Sequence, residues 1–207
     1  MRKNLINGIG KGLKDLKASK DGDRSHLSRV EKDIPLNLVL IATGVIIVAM
    51  IFLYNVFTHN FTSAILAALV MAIAAFIFAA VAGFLVGVIG SSSNPISGLT
   101  LSTLLIASVL MVLVGMKGDA GVIAALAVAS VVCCVAGVAG DMMQDLKVGQ
   151  ILGGTPWKME VSELIGVVAT ALVLIIPIMV LHEANGIGSE ALPAPQAGLM
   201  AMISKGI

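Results

Sequence analysis

The sequence predicts an all-α fold, a polytopic bundle of membrane-spanning helices, and three observations carry that prediction. Hydrophobic residues make up 58% of the chain and charged residues 12%, where a soluble domain carries roughly a quarter charged. No Asp, Glu, Lys or Arg occurs between Asp33 and Lys117, a length of chain that a folded surface in water would not leave without charge. The apolar residues form long unbroken runs with few aromatics, whereas an outer-membrane barrel shows strands of alternating polarity and girdles of Tyr and Trp. A segment in lipid must satisfy its own backbone N–H and C=O groups, so these runs are helices.

A hydrocarbon core of about 30 Å takes roughly 20 helical residues. By that measure there are five spans: Leu36 to Phe57, Thr62 to Gly90, Ser97 to Met116, Ala120 to Ala139 and Val161 to Leu181. The second exceeds what a perpendicular helix needs, so it tilts or unwinds early at Gly87 to Gly90. Residues 192–207 read as the start of a further helix, partial or re-entrant. The chain thus divides into a basic segment, 1–33, and a transmembrane domain, 34–207.

Orientation follows from the cations. Nine of the thirteen Lys and Arg precede the first span, and the positive-inside rule puts that segment in the cytoplasm. Five crossings then leave the Asp141 to Glu160 loop, with Lys147 and Lys158, inside as well. The turn at Thr58 and the stretch "HEANGIGSEALPAP" fall outside and carry no Lys or Arg. Lys117 is the exception. These features predict a multi-pass protein of the cell membrane with a cytoplasmic N-terminus.

Within the basic head, Leu5, Ile6, Ile9, Leu13 and Leu16 fall at helical spacing among lysines. Two readings stand: an amphipathic helix on anionic lipid headgroups, or a basic connector before the first span. A secretory signal is excluded, because no apolar core follows the basic residues before "SKDGDRSHLSRVEKD". Membrane lipids are the expected surroundings, and nothing points to nucleic acid. Cys133 and Cys134 are adjacent inside a span and read as small apolar residues, not a metal pair or disulfide. Trp157 reads as an interfacial anchor. The glycines of "GFLVG" (Gly83 to Gly87) and "GVAG" (Gly137 to Gly140) expose small faces suited to close helix packing. No metal or cofactor site is expected.

The polar stretch "GVIGSSSNPISGLTLSTLL", from Gly87 to Leu105, interrupts the apolar sequence. Pro95 lacks a donor and disfavours helix at Asn94, so the helix breaks there. Non-helical backbone is tolerated at membrane depth only when buried in protein or lining a watery cavity, and serine hydroxyls with an asparagine amide supply donors and acceptors to such a cavity without a charge. A polar turn at the cytoplasmic surface explains the composition equally well. "NPISGLTL" from Asn94 also resembles "APQAGLMA" from Ala194: a proline, a small residue, glycine and leucine at the same spacing, each opening an apolar helix. Interrupted helices in corresponding positions of internal repeats point to a transporter's binding site.

"GSSSNPISGLT", "AGDMMQDLKVGQILGGTPWKMEVSELIG" and "LHEANGIGS...LPAPQAGLM", in that order, resemble the oligopeptide transporter family, which includes the yellow-stripe-like metal-chelate transporters of plants and many prokaryotic members. The resemblance covers the chain from about Asp33 onward. It implies secondary active uptake of small peptides or peptide-like metal chelates, coupled to protons, by alternating access. It implies further that this chain is an interior to C-terminal portion of a larger, repeat-built transporter fold, completed by an N-terminal half or by a homo-oligomer. Under the resemblance Ser91, Ser92, Ser93, Asn94, Pro95, Ser97 and Gly98 match the serine-rich motif and become the substrate path. Asp141, Gln144, Asp145 and Lys147 match the second motif at a helix end, with Asp141, Gln144 and Asp145 candidates for handling protons or cations. Without the resemblance that cluster reads as a solvated loop, where exposed ion pairs do little.

His182 and Glu183 adjoin the last clear span. Adjacent helical residues point about 100° apart, so they read as a helix-end cap or interfacial pair. Two rivals to transport are an intramembrane serine hydrolase using Ser97 and His182, and a membrane subunit with a structural role only. The hydrolase reading suffers because Pro95 stands two residues before Ser97, where a protease-like pattern wants glycine. The chain is therefore not expected to be an enzyme.

Overall fold

The computed structural model describes residues 28–116 and 118–206, with Gly10. The reading of the basic head as an amphipathic helix falls outside the described residues. Among those described there are no strands and six α-helices: α1 (Leu36–Thr58), α2 (Phe61–Ile89), α3 (Ile96–Leu113), α4 (Asp119–Leu152), α5 (Pro156–Asn185) and α6 (Pro195–Lys205). The first five are long and apolar enough to cross a membrane. The chain folds as an all-α polytopic bundle.

Helix ends follow local chemistry. Asn60 caps α2, its side-chain oxygen accepting from the amides of Thr62 at 3.0 Å and Ser63 at 3.4 Å, which satisfies donors that have no partner inside the helix. At the other end of α2, Gly90 has φ +87° and ψ 158°, backbone that only glycine adopts readily. Pro156 stands at the start of α5, where its missing N–H is no loss and its φ suits the helix.

α4 departs most from expectation. The sequence reading ends the fourth span at Ala139 and makes residues 141–160 a loop. The helix instead runs unbroken to Leu152, stops at left-handed Gly153, and hands over to α5 three residues on. Its 34 residues measure about 51 Å at 1.5 Å per residue, well beyond a hydrocarbon core of about 30 Å. Polar residues such as Asp141, Gln144 and Asp145 sit in helix all the same, because a helix leaving lipid keeps its backbone bonds. The segment 192–207 yields α6, only 11 residues long.

α4 is the central helix and meets α1, α2, α3, α5 and α6. The main core joins Tyr54 of α1, Ala64, Ala67, Ala68 and Met71 of α2, Leu104, Ala107 and Met111 of α3, and Ala124, Ala125, Val128 and Ala129 of α4. Alanine dominates because lipid tails are as apolar as leucine; helices in a bilayer associate through close backbone approach, which small side chains permit. Met200 and Ile203 of α6 pack on the same core. Ser108 and Ser204 share a buried hydrogen bond of 3.0 Å, which ties α6 to α3.

Candidate functional site

The break between α2 and α3 is short and ordered by its neighbours. Ser91–Ser93 form one 3-10 turn, closed by the Asn94 amide donating to the Ser91 carbonyl at 3.1 Å. Pro95 then opens α3. The turn rests on one face of α4. The Asn94 side-chain amide donates to the Ala136 carbonyl at 3.1 Å, and the Ser91 backbone N–H donates to Gln144 Oε1, also at 3.1 Å. Between them lies Gly140, where a Cβ would stand 2.5 Å from Asn94 Nδ2 and 2.9 Å from Val86 Cγ2. Ala136, Gly140 and Gln144 are four residues apart, so they line one side of the helix. Glycine is required at the middle position because the asparagine occupies the space a side chain would fill.

Two motifs distant in sequence thus meet, the serine-rich turn and the helix carrying "GDMMQDLK". Asn94 is half-buried, with its Oδ1 enclosed and without a hydrogen-bond partner. Ser92, Ser93 and Ser97 are exposed, as is Gly98, whose carbonyl accepts from Ser102 at 2.8 Å. Asp141 and Asp145 are exposed on α4, and Lys147 reaches Gln150 Oε1 at 3.0 Å. Gln144 has no titratable proton; its observed contact is with the backbone of the turn.

A second feature lies past the turn, where α4 hands over to α5. A cavity of about 610 Å³ opens there, its wall including Arg29, Asp145, Lys158 and Glu163. The residues before α1 are strapped across this junction: Arg29 donates to the Gly153 carbonyl, the Trp157 amide donates to the Lys32 carbonyl at 3.0 Å, and the Ile34 amide donates to Glu160 Oε2 at 3.1 Å. Sequence reasoning singled out Asp145 in this group and missed Arg29 and Glu163. Glu163 carried a signal, since an ionisable residue two turns into an apolar helix is by default a candidate for function.

The residues of the hydrolase alternative are kept apart. Ser97 is in the first turn of α3 beside the C-terminal half of α4, while His182 is in the last turn of α5. A 30-residue helix is about 45 Å long, and α5 begins at the α4 end that Ser97 neighbours. His182 Nδ1 accepts from the Ile187 amide at 3.3 Å, a local turn contact.

The family model described as "OPT oligopeptide transporter protein" matches residues 4–207. A Haemophilus influenzae (strain Rd) protein, whose name assigns it provisionally to oligopeptide transport, is 30% identical over 234 aligned residues. That match takes in all of this chain and 36% of the relative, so the chain spans little more than a third of that relative's length. No solved structure matches the chain. With the family model covering nearly every residue, and the two motifs that suggested it packed against each other, this chain belongs to the OPT oligopeptide transporter family.

Proposed function

We propose that the chain forms part of a secondary active transporter in the cell membrane, carrying small peptides or peptide-like metal chelates by proton-coupled symport. The observation that carries this reading is the Ser91 to Pro95 break held against Ala136, Gly140 and Gln144 of α4. An ordered, unwound segment between two spans, rich in hydroxyls and holding an unpartnered amide oxygen, has the chemistry of a cargo contact. Ser92, Ser93, Asn94 and Ser97 offer hydrogen bonds to cargo, and Pro95 with Gly98 keeps the break open. Asp141 and Asp145, exposed on α4, are the carboxylates to which this reading gives the exchange of protons or cations. Gln144 positions the turn. Further helices complete the path, from a longer polypeptide, a separate half or a second copy of this chain; α5, which buries no residue, offers them a surface.

The test uses a complete transporter containing this segment. Asn94→Leu removes the side-chain amide, donor and acceptor together, while making the segment easier to insert, so uptake of labelled peptide should be lost at unchanged surface expression. Ser102→Ala, whose hydroxyl bonds only within α3, should transport normally. Uptake by Asn94→Leu equal to wild type would return the motif to a polar turn. The chain alone, reconstituted in vesicles, should show no proton-dependent uptake.

The N-terminus and the α4–α5 connection are cytoplasmic in this reading, since the cations gather there. A cysteine replacing Lys158, in a background of Cys133→Ala and Cys134→Ala, should resist an impermeant thiol reagent added to intact cells. Ready labelling would invert the topology.

A further inference from the structure

The cavity at the α4–α5 junction is lined by ionisable residues of both signs, basic Arg29 and Lys158 with acidic Asp145 and Glu163. Among the described residues these four do not neutralise one another; the ion pair within 4.0 Å joins Lys205 to Asp119 elsewhere. Glu163 Oε1 is buried and has no hydrogen-bond partner, and the groups acting on it electrostatically are the carboxylates of Asp145, Glu160 and Asp141. A buried acceptor left unpaired is costly, more so with like charges around it. It calls for a hydrogen-bond donor, and the neighbouring carboxylates make a cationic one the best match.

A bare metal ion does not fit. Metal sites take several ligands at about 2.0–2.6 Å, and among the described residues no group of three or more His, Cys, Asp or Glu lies close enough to hold one. An ammonium has looser needs, because each N–H seeks one carboxylate oxygen at about 2.7–2.9 Å without a fixed coordination shell. The two basic residues of the lining have capacity to spare. Arg29 commits a contact to the Gly153 carbonyl, and a guanidinium carries five N–H donors. The Lys158 ammonium lies 5.7 Å from the Trp157 ring centroid and has no hydrogen-bond acceptor among the described residues.

We propose that this cavity binds a small zwitterion, the free N-terminal ammonium of a short peptide at Glu163 and Asp145 and its free C-terminal carboxylate at Arg29 and Lys158. The volume of about 610 Å³ lies within the range of small-molecule sites. The proposal rests on the reading of peptide transport and narrows it: cargo with both ends free is selected over end-blocked peptides, and over chelates whose amines and carboxylates are committed to a metal.

Trp157 is the only tryptophan in the sequence and sits beneath Lys158, so its fluorescence reports on the cavity. The full chain in dodecylmaltoside micelles, which contain no amine and no tryptophan, is titrated with trialanine, N-acetyl-trialanine and trialanine amide. Trialanine should give a saturable change, and each blocked peptide should bind about tenfold more weakly or worse. Glu163→Gln should abolish discrimination against the acetylated peptide while sparing that against the amide, and Lys158→Gln should do the reverse, both at unchanged helix content by circular dichroism. Loss of folding cannot produce that crossed pattern. Equal binding of free and blocked peptides, no saturable change, or a response to added phosphatidylethanolamine in place of peptide would overturn the proposal. Peptide uptake by a complete transporter indifferent to blocked ends would sink the cavity assignment and leave the transport reading standing; end-selective binding without uptake would do the opposite.

Discussion

α4 and α5 are both apolar enough to span a bilayer, yet one is the axis of the bundle and the other stands almost free of it. α4 buries Gly121, Ala124, Ala125, Val128, Ala129, Val132, Ala136, Gly140 and Gly149, whereas α5 buries nothing along its 30 residues. Hydropathy therefore finds a span without saying what it packs against. Lipid solvates an apolar helix as well as a neighbouring helix does, so association depends on whether small side chains on one helix meet a complementary surface on another. α5 also has small residues, among them Gly166 and Ala169, but they meet open space: a Cβ added at Gly166 would touch nothing within 4 Å.

The sharpest way to break this contrast is to enlarge one glycine on each helix. Gly140→Leu drives a side chain into Asn94 and Val86 and should destabilise the bundle by about 2–3 kcal/mol, the upper range for overpacking, read as a lowered midpoint of unfolding in micelles. Gly166→Leu should shift that midpoint by less than about 0.5 kcal/mol, as for surface changes generally. Equal losses would mean that α5 is packed after all, and the comparison would fall.

A smaller effect sharpens the same lesson at α6, the short helix that does dock. Ser108→Ala removes the buried bond to Ser204 and should cost about 0.5–1 kcal/mol, typical of hydroxyl contacts between membrane helices. The double variant with Ser204→Ala should cost little more than the single one, because the interaction is already gone. Full additivity would show that the two hydroxyls are not coupled.

The smallest effect belongs to the ion pair at the end of that contact. Lys205 Nζ and Asp119 Oδ1 are 3.6 Å apart with both side chains largely exposed. Lys205→Ala should change stability by less than about 0.5 kcal/mol, and salt should blunt even that. A loss as large as that of Ser108→Ala would mean that charge, not packing, holds α6.

The amino-acid sequence alone determined the membrane class, the number of long spans and the break before Pro95. Each of these rests on a local property: transfer of apolar side chains to lipid, helical backbone bonding, or a missing proline N–H. The resemblance of the serine-rich turn and "GDMMQDLK" to one family was also legible, since both motifs are contiguous. Tertiary structure decided what those segments do to each other. That Asn94 fits over Gly140, that Gln144 holds Ser91, and that Arg29 and Glu163 face one cavity are matters of shape across distances in sequence that periodicity does not encode. The length of α4 was misjudged for a related reason. Hydropathy marks where lipid ends, and a helix need not end there, because its hydrogen bonds are its own and its polar faces are as stable in water as its apolar ones are in the bilayer.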